Sequence, residues 1–155
     1  MAYRFERSVI IAASPEAIWK VVQEPSRRPE WDVRVKQVEL LTPRPIGKGS
    51  RLGIWGTPME LVIELISWQP YRRSAIKLMG DDQPCTLASS WNFAAQPDGT
   101  TSWTTRLILT MPGRLGWLRE QLAGRTTEWL TVRSQRNLKR LLEAEQRASA
   151  LRGPC

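Results

Sequence analysis

Between Val33 and Met111 the chain reads as six strand-like segments, and no connector among them is long enough to hold a crossover helix. The segments are Val35–Leu41, Ser50–Trp55, Met59–Trp68, Arg73–Met79, Cys85–Phe93 and Ser102–Met111. Their separators, Pro43–Gly49, Gly56–Pro58, Gln69–Tyr71, Gly80–Pro84 and Gln96–Gly99, are rich in proline, glycine and aspartate, the residues that make tight turns. Parallel neighbours need a connection of about a dozen residues or more. The segments therefore pair as an antiparallel meander.

What flanks the meander narrows the architecture further. Tyr3–Ala12 carries Phe5, Val9 and Ile11 among polar neighbours and reads as one more strand. Ser14-Pro15 then opens a helix, because serine caps free N–H groups and proline has none to lose in the first turn. Ala17, Ile18, Val21 and Val22 give that helix one apolar stripe, and Pro25-Ser-Arg-Arg-Pro29 allows one further short helical turn before Trp31. At the other end Leu115, Leu118, Leu122, Trp129, Leu138, Leu141 and Leu142 recur mostly at steps of three, four and seven, which predicts an amphipathic helix over Gly113–Ala148. Gly124 is its expected soft point. Residues 149–155 are expected to fray, leaving one domain over 1–148. The fold class is α+β: a curved antiparallel sheet of seven strands, two short helices after the first strand, and the long last helix lying across the concave side.

The chain contains no histidine among its 155 residues, which excludes imidazole as base, nucleophile partner or metal ligand. Its two cysteines, Cys85 and Cys155, cannot build a zinc site and read as free thiols in a reducing compartment. Neither a metal nor a cofactor is expected. The apolar stretches, such as Leu61–Ile63 and Leu107–Leu109, fall far short of the roughly 20 residues that span a bilayer, and Met1-Ala-Tyr-Arg-Phe-Glu has no signal-peptide core. A cytoplasmic location is the expectation. Net charge is +8, and Gly113–Cys155 carries nine basic and four acidic residues. An anionic membrane surface or an acidic protein could meet that helix. The arginines are not interleaved with a stacking platform, so no specific nucleic-acid partner is expected.

Ser14-Pro15-Glu16-Ala17-Ile18-Trp19, Pro29-Glu30-Trp31, Ile46-Gly47-Lys48-Gly49 and Gln69-Pro-Tyr71-Arg72-Arg73 resemble the START-like helix-grip superfamily (SRPBCC), in particular its polyketide cyclase/dehydrase branch. The element order agrees over about residues 3–145. The resemblance implies a seven-stranded sheet gripping the last helix, with a hydrophobic ligand (a lipid, a quinone or an aromatic polyketide) held between them. Members include carriers, receptors and cyclases, so the fold alone does not settle function.

The eight tryptophans favour a cavity with broad flat walls, since each indole brings about 150–250 Å² of surface to bury. Alternation turns Leu61, Ile63 and Leu65 inward opposite Glu60 and Glu64, followed by Ile76 and Leu78, by Leu87, Ser89, Trp91 and Phe93, and by Trp103, Thr105, Leu107, Leu109 and Met111. Ser89 and Thr105 could orient a ligand oxygen, or simply bond locally. On the last helix Leu118, Leu122 and Trp129 define the expected inward stripe. Arg125 lies between the last two, as a ligand anchor or with its stem snorkelled to the helix edge. An interior void of about 300 Å³ would cost roughly 7 kcal/mol if empty, so such a hollow should hold a guest.

Two activities fit such a cavity. One is non-catalytic binding of the hydrophobic molecule. The other is cyclisation of a poly-β-keto chain, for which Arg125, Tyr71, Ser89, Thr105, Arg106 and Glu128 are the available groups. None of these forms a recognisable acid/base pair, which weighs against catalysis.

Overall fold

The computed structural model describes residues 2–56 and 60–153. The expected turn at Gly56–Pro58 and the start of the next strand at Met59 fall largely outside them, as does Cys155. Strand β1 (Tyr3–Ile11) leads into helix α1 (Pro15–Val22), a 3-10 turn (Pro25–Arg27) and the single-turn helix α2 (Arg28–Trp31). Strands β2 (Val35–Leu40), β3 (Arg51–Gly56), β4 (Glu60–Gln69), β5 (Arg73–Leu78), β6 (Thr86–Ala95) and β7 (Thr101–Thr110) follow, and helix α3 (Gly116–Arg152) closes the chain. All neighbours are antiparallel, in the order β1-β7-β6-β5-β4-β3-β2, so β1 and β2 are the edges of one curved seven-stranded sheet.

The local signals act as their chemistry dictates. Ser14 Oγ accepts the amide of Ala17 at 3.2 Å, with Pro15 and Glu16 in the first turn of α1 and Lys20 in its last. In the Gln69–Arg72 turn Tyr71 takes a φ of 68° behind Pro70, the left-handed conformation required at the third position of such a turn. Paired positions place Phe5, Leu107 and Ser89 in one cross-strand row, and Leu52, Ile63 and Leu78 in another, all on the same face. That face carries the core. Ile11, Ile18, Val22, Trp31, Phe93, Trp103, Leu138 and Leu142 join α1, α2 and the C-terminal half of α3 to β6 and β7. Leu52, Ile63 and Leu65 form a separate cluster on β3 and β4.

Helix α3 departs from the sequence reading in three ways. It remains helical through Arg152, beyond the point where fraying is expected. It runs unbroken through Gly124, where the ring of Tyr3 packs so closely that a Cβ would stand 2.2 Å from Tyr3 Cγ. Gly124 is thus a close-approach residue and not a soft point. Finally, the rotation of the helix is opposite to the one expected. Leu118, Leu122 and Trp129 are 41%, 63% and 59% exposed, and Arg125 is exposed with them, while Gly116, Glu120, Gly124, Thr131, Ser134, Gln135, Leu138 and Leu142 are buried.

Polar pins explain that rotation. Glu120 Oε1 accepts the amide of Met111 at 2.9 Å, and Gln135 Nε2 donates to the Arg7 carbonyl at 3.1 Å and to Thr105 Oγ1 at 3.2 Å. Ser134 Oγ donates to Asp32 Oδ1 at 3.3 Å. Glu128 accepts the Tyr3 hydroxyl at 2.5 Å and pairs with Arg7. Turning the apolar stripe inward would leave several of these groups buried and unpaired, at about 1–3 kcal/mol each. The close approach of Tyr3, which only the Gly124 side of the helix admits, imposes the same rotation sterically.

Candidate functional site

Helix α3 packs on β1, β7 and α2 and leaves the concave face of β2–β5 to α1 and the 3-10 turn. Val38, Leu52, Ile54, Ile63 and Leu65 form that part of the face; Val22, Gln23, Pro25 and Arg28 close over it, with Ile46 from the β2–β3 loop. The space enclosed is about 30 Å³, room for a single water molecule. Outside it lies an open cleft of about 530 Å³ walled by Trp19 and Trp68, whose rings meet edge to face at 4.8 Å, and rimmed by Lys20, Glu24, Arg44 and Pro45. Gln23 and Ile46 belong to both spaces and form the partition between them. Gln23 is fixed there by donating to Ser74 Oγ at 2.8 Å.

The expected hollow of about 300 Å³ is therefore closed. Indoles fill it. Trp31, Trp91 and Trp103 meet one another edge to face at 5.5–5.8 Å, and Phe93 stacks on Trp103 at 6.2 Å with the planes 6° apart. Aromatic pairs at such distances add about 0.5–1.5 kcal/mol each beyond the area they bury, and that favours a packed plug over an open chamber.

Among the described residues the only cation against the inner pocket is Arg28. Its guanidinium lies 4.8 Å from the ring centroids of both Trp31 and Trp91, and Nε donates to Asp32 Oδ2 at 2.8 Å. Asp32, with no exposed side-chain surface, also accepts from Arg34 Nε at 3.0 Å and from the Arg34 amide at 3.1 Å. Burial alone would raise the Asp32 carboxyl, but Arg28 and Arg34 outweigh it and hold the group far below the usual carboxylate range. Burial likewise pulls Arg28 below its ordinary value against the opposing charge of Asp32. Two cations share one anion, and one of them, Arg28, faces a pocket whose other lining side chains are apolar except for Gln23. The sequence signal was the Arg28-x-x-x-Asp32 spacing around Trp31, which puts both side chains on one flank of a helical turn.

The residues singled out by strand alternation and by the stripe of the last helix separate into four groups. Ile63 and Leu65 line the inner pocket, and Leu61 shares their strand and face. Trp91, Phe93 and Trp103 belong to the aromatic plug. Leu107 packs with Phe5 and Leu109, Thr105 is engaged by Gln135, and Ser89 Oγ donates to the Arg106 carbonyl at 3.0 Å. Leu122, Arg125 and Trp129 do not face the interior. Arg125 and Trp129 line a third concavity, an open groove of about 1070 Å³ between β1 and α3 that also carries Arg7 with its partner Glu128, and Arg133, Arg136 and Arg140.

The family profile for polyketide cyclase/dehydrase and lipid transport matches residues 2–143. The chain belongs to that family. Among curated relatives of this polyketide cyclase/dehydrase family member are Uncharacterized protein Rv2574 of Mycobacterium tuberculosis and Uncharacterized protein Mb2604 of Mycobacterium bovis. Each is 29% identical over 121 residues, covering 72% of this chain and 70% of the relative. In three dimensions the family member is similar to the crystal structure of Ara h 8.0201, with a TM-score of 0.67, 11% identity and coverage of 93% of this chain and 99% of that one. That likeness shows the helix-grip fold. Family and fold together support hydrophobic ligand binding or polyketide cyclase/dehydrase activity in general. Among the described residues no helix is long and apolar enough to cross a membrane, and no group of acidic or thiol side chains is placed to hold a metal ion.

Proposed function

We propose that this protein binds, without transforming it, an elongated apolar molecule that ends in an anionic or strongly accepting group. The observation that carries the reading is the β2–β5 wall, an apolar surface that α3 leaves free, with Arg28 at its inner end and the Trp19–Trp68 cleft at its outer end. The acceptor end would lie on Arg28, as a charge-assisted hydrogen bond in a poorly solvated place, and the apolar body would lie along Ile54, Ile63 and Leu65 once Ile46 swings outward.

Cyclisation is the weaker reading, because it needs a group to move protons. Among the described residues Arg28 is the sole titratable side chain on the inner pocket, while Lys20, Glu24 and Arg44 rim only the outer cleft. Arginine does not exchange its proton near neutral pH.

Laurate and dodecanol, titrated separately with thermal shift and calorimetric readouts, test the proposal. They share a chain length and differ in the charged end. Laurate should bind roughly tenfold or more tightly, the value of one hydrogen bond to a charged group. Ile46→Trp should weaken both, and Arg28→Lys should narrow the difference between them. Equal affinities, or laurate binding indifferent to Ile46→Trp, would refute the site.

A further inference from the structure

The outward stripe of α3 has a composition that the fold does not explain. Leu118, Leu122, Arg125, Trp129, Arg133, Arg136 and Arg140 follow at three- and four-residue steps along one line of the helix, and all seven are exposed. At about 1.5 Å per residue the line is roughly 33 Å long. Its first half is apolar, with Leu115 and Trp117 beside it at 63% and 60% exposure, and its second half is arginine. Arg114 and Arg119 flank the apolar end, and Arg133 stands 5.4 Å over the Trp129 ring. Between Gly113 and Leu142 the only carboxylates are Glu120 and Glu128, and both are turned toward the sheet, on Met111 and on Tyr3 with Arg7. The outward stripe is therefore cationic and apolar, and in the groove beside it the one carboxylate among the lining residues, Glu128, is already paired with Arg7.

We propose that this face docks the protein on an anionic phospholipid bilayer, with Trp117, Leu118, Leu122 and Trp129 at the boundary between headgroups and acyl chains and the arginines on lipid phosphates. Three features select that occupant. A straight line of leucine and tryptophan on a rigid helix matches a plane, and indoles favour the interface between water and hydrocarbon. A second copy of the chain, placed face to face, would set one row of arginines against another with no carboxylate between them. A nucleic acid would engage the arginines but has no use for Leu118, Leu122 and Leu115. This proposal stands independently of the ligand site, which opens on another side of the molecule at Trp19 and Ile46.

The test is sedimentation of the full chain with vesicles of phosphatidylcholine alone and of phosphatidylcholine mixed two to one with phosphatidylglycerol, at low and high salt. Binding is expected on the mixed vesicles only, and should fall with salt. Each arginine near such a surface is worth roughly fivefold in affinity, so Arg125→Glu/Arg133→Glu/Arg136→Glu should lose more than about a hundredfold. The exposed pair Leu122→Ser/Trp129→Ser should lose about tenfold with charge unchanged. Quenching of tryptophan emission by brominated phosphatidylcholine in mixed vesicles should diminish in Trp129→Phe. Equal binding to neutral vesicles, or mixed-vesicle binding indifferent to both sets of variants, would overturn the proposal. A dimer abolished by Trp129→Ser, or duplex DNA binding as strong as vesicle binding, would overturn it in favour of those partners. Unchanged circular dichroism and unchanged laurate affinity in the variants separate loss of docking from loss of fold.

Discussion

Gly124→Ala tests how α3 is held against β1. In an unconstrained helix the substitution stabilises by about 0.8–1 kcal/mol, because alanine loses less backbone freedom. Here the new Cβ would lie 2.2 Å from Tyr3 Cγ and 2.3 Å from Cδ1, against an ordinary carbon–carbon contact of about 3.5–4.0 Å. Tyr3 cannot yield freely, since its hydroxyl is tied to Glu128 at 2.5 Å, one helical turn beyond Gly124. Overpacking of this kind costs about 1–3 kcal/mol, and a weakened hydrogen bond to a carboxylate adds to it. The net expectation is a loss of about 1–3 kcal/mol, or a fall in Tm of roughly 3–10 °C for a domain of this size. Replacing Tyr3 by alanine removes the obstacle. In the Tyr3→Ala background Gly124→Ala should therefore stabilise by about 1 kcal/mol and raise Tm by roughly 2–4 °C. The measurement is a double-mutant cycle by urea denaturation and calorimetry, and its signature is a reversal of sign. A single Gly124→Ala variant more stable than the parent, or the same change in both backgrounds, would refute the packing described for this helix.

Three further outcomes follow from the core. Asp32→Asn leaves Arg28 and Arg34 without their buried counter-charge and should cost about 3–5 kcal/mol in urea denaturation; a loss under 1 kcal/mol would be inconsistent with the triad. Asp32 titrates below its ordinary 3.8 in the folded protein, so its contribution is complete above about pH 4–5 and is lost as pH falls toward the folded value. The acid limb of the stability curve should be shallower in Asp32→Asn than in the parent, and an identical limb would show that Asp32 does not govern it. Trp103, only 1% exposed, has no hydrogen-bond partner for its indole N–H among the described residues. Trp103→Phe relieves a buried donor while it opens a small void, so it should cost less than about 2 kcal/mol against about 3–5 for Trp103→Ala; equal losses would mean that the indole N–H is paired.

Much of the frame was legible because it rests on short-range chemistry. Turn residues at Gln69–Tyr71 and Gln96–Gly99 set the strand succession, and Ser14-Pro15 set the start of α1. Period-two alternation also sorted the faces of β4 and β7 correctly, with Ile63, Leu65, Trp103, Thr105, Leu107 and Leu109 all buried. The rotation of α3 was not legible, because the leucine periodicity of its first half records the face left to solvent. What fixes that rotation is a set of contacts with partners about 100 residues away, such as Gln135 on Arg7 and Ser134 on Asp32. Arg28 escaped notice for a related reason: its importance comes from Trp91, which only the sheet brings to it.

The inverted helix and the closed interior have one origin. Because α3 is pinned to β1 and β7 by polar groups, Leu118 and Leu122 of its first half contribute nothing to the sheet's concave side, and the apolar demand there falls on the tryptophans, on α1 and on Leu138 and Leu142. The indoles satisfy it over β6 and β7, which leaves the β2–β5 wall to α1, the 3-10 turn and Ile46. A guest of lipid size needs about 300 Å³ or more, and the enclosed space is about 30 Å³. Standing open without a guest would cost roughly 7 kcal/mol, a large part of a domain's whole stability. The wall therefore closes upon itself, and binding has to displace something. The part to be displaced is Ile46, half-buried on the connector between β2 and β3, whereas Trp31 and Trp103 are buried among aromatic neighbours between two helices. Affinity for a guest should then be limited by the cost of moving Ile46, and a substitution that loosens the β2–β3 connector should strengthen binding while leaving the aromatic plug intact.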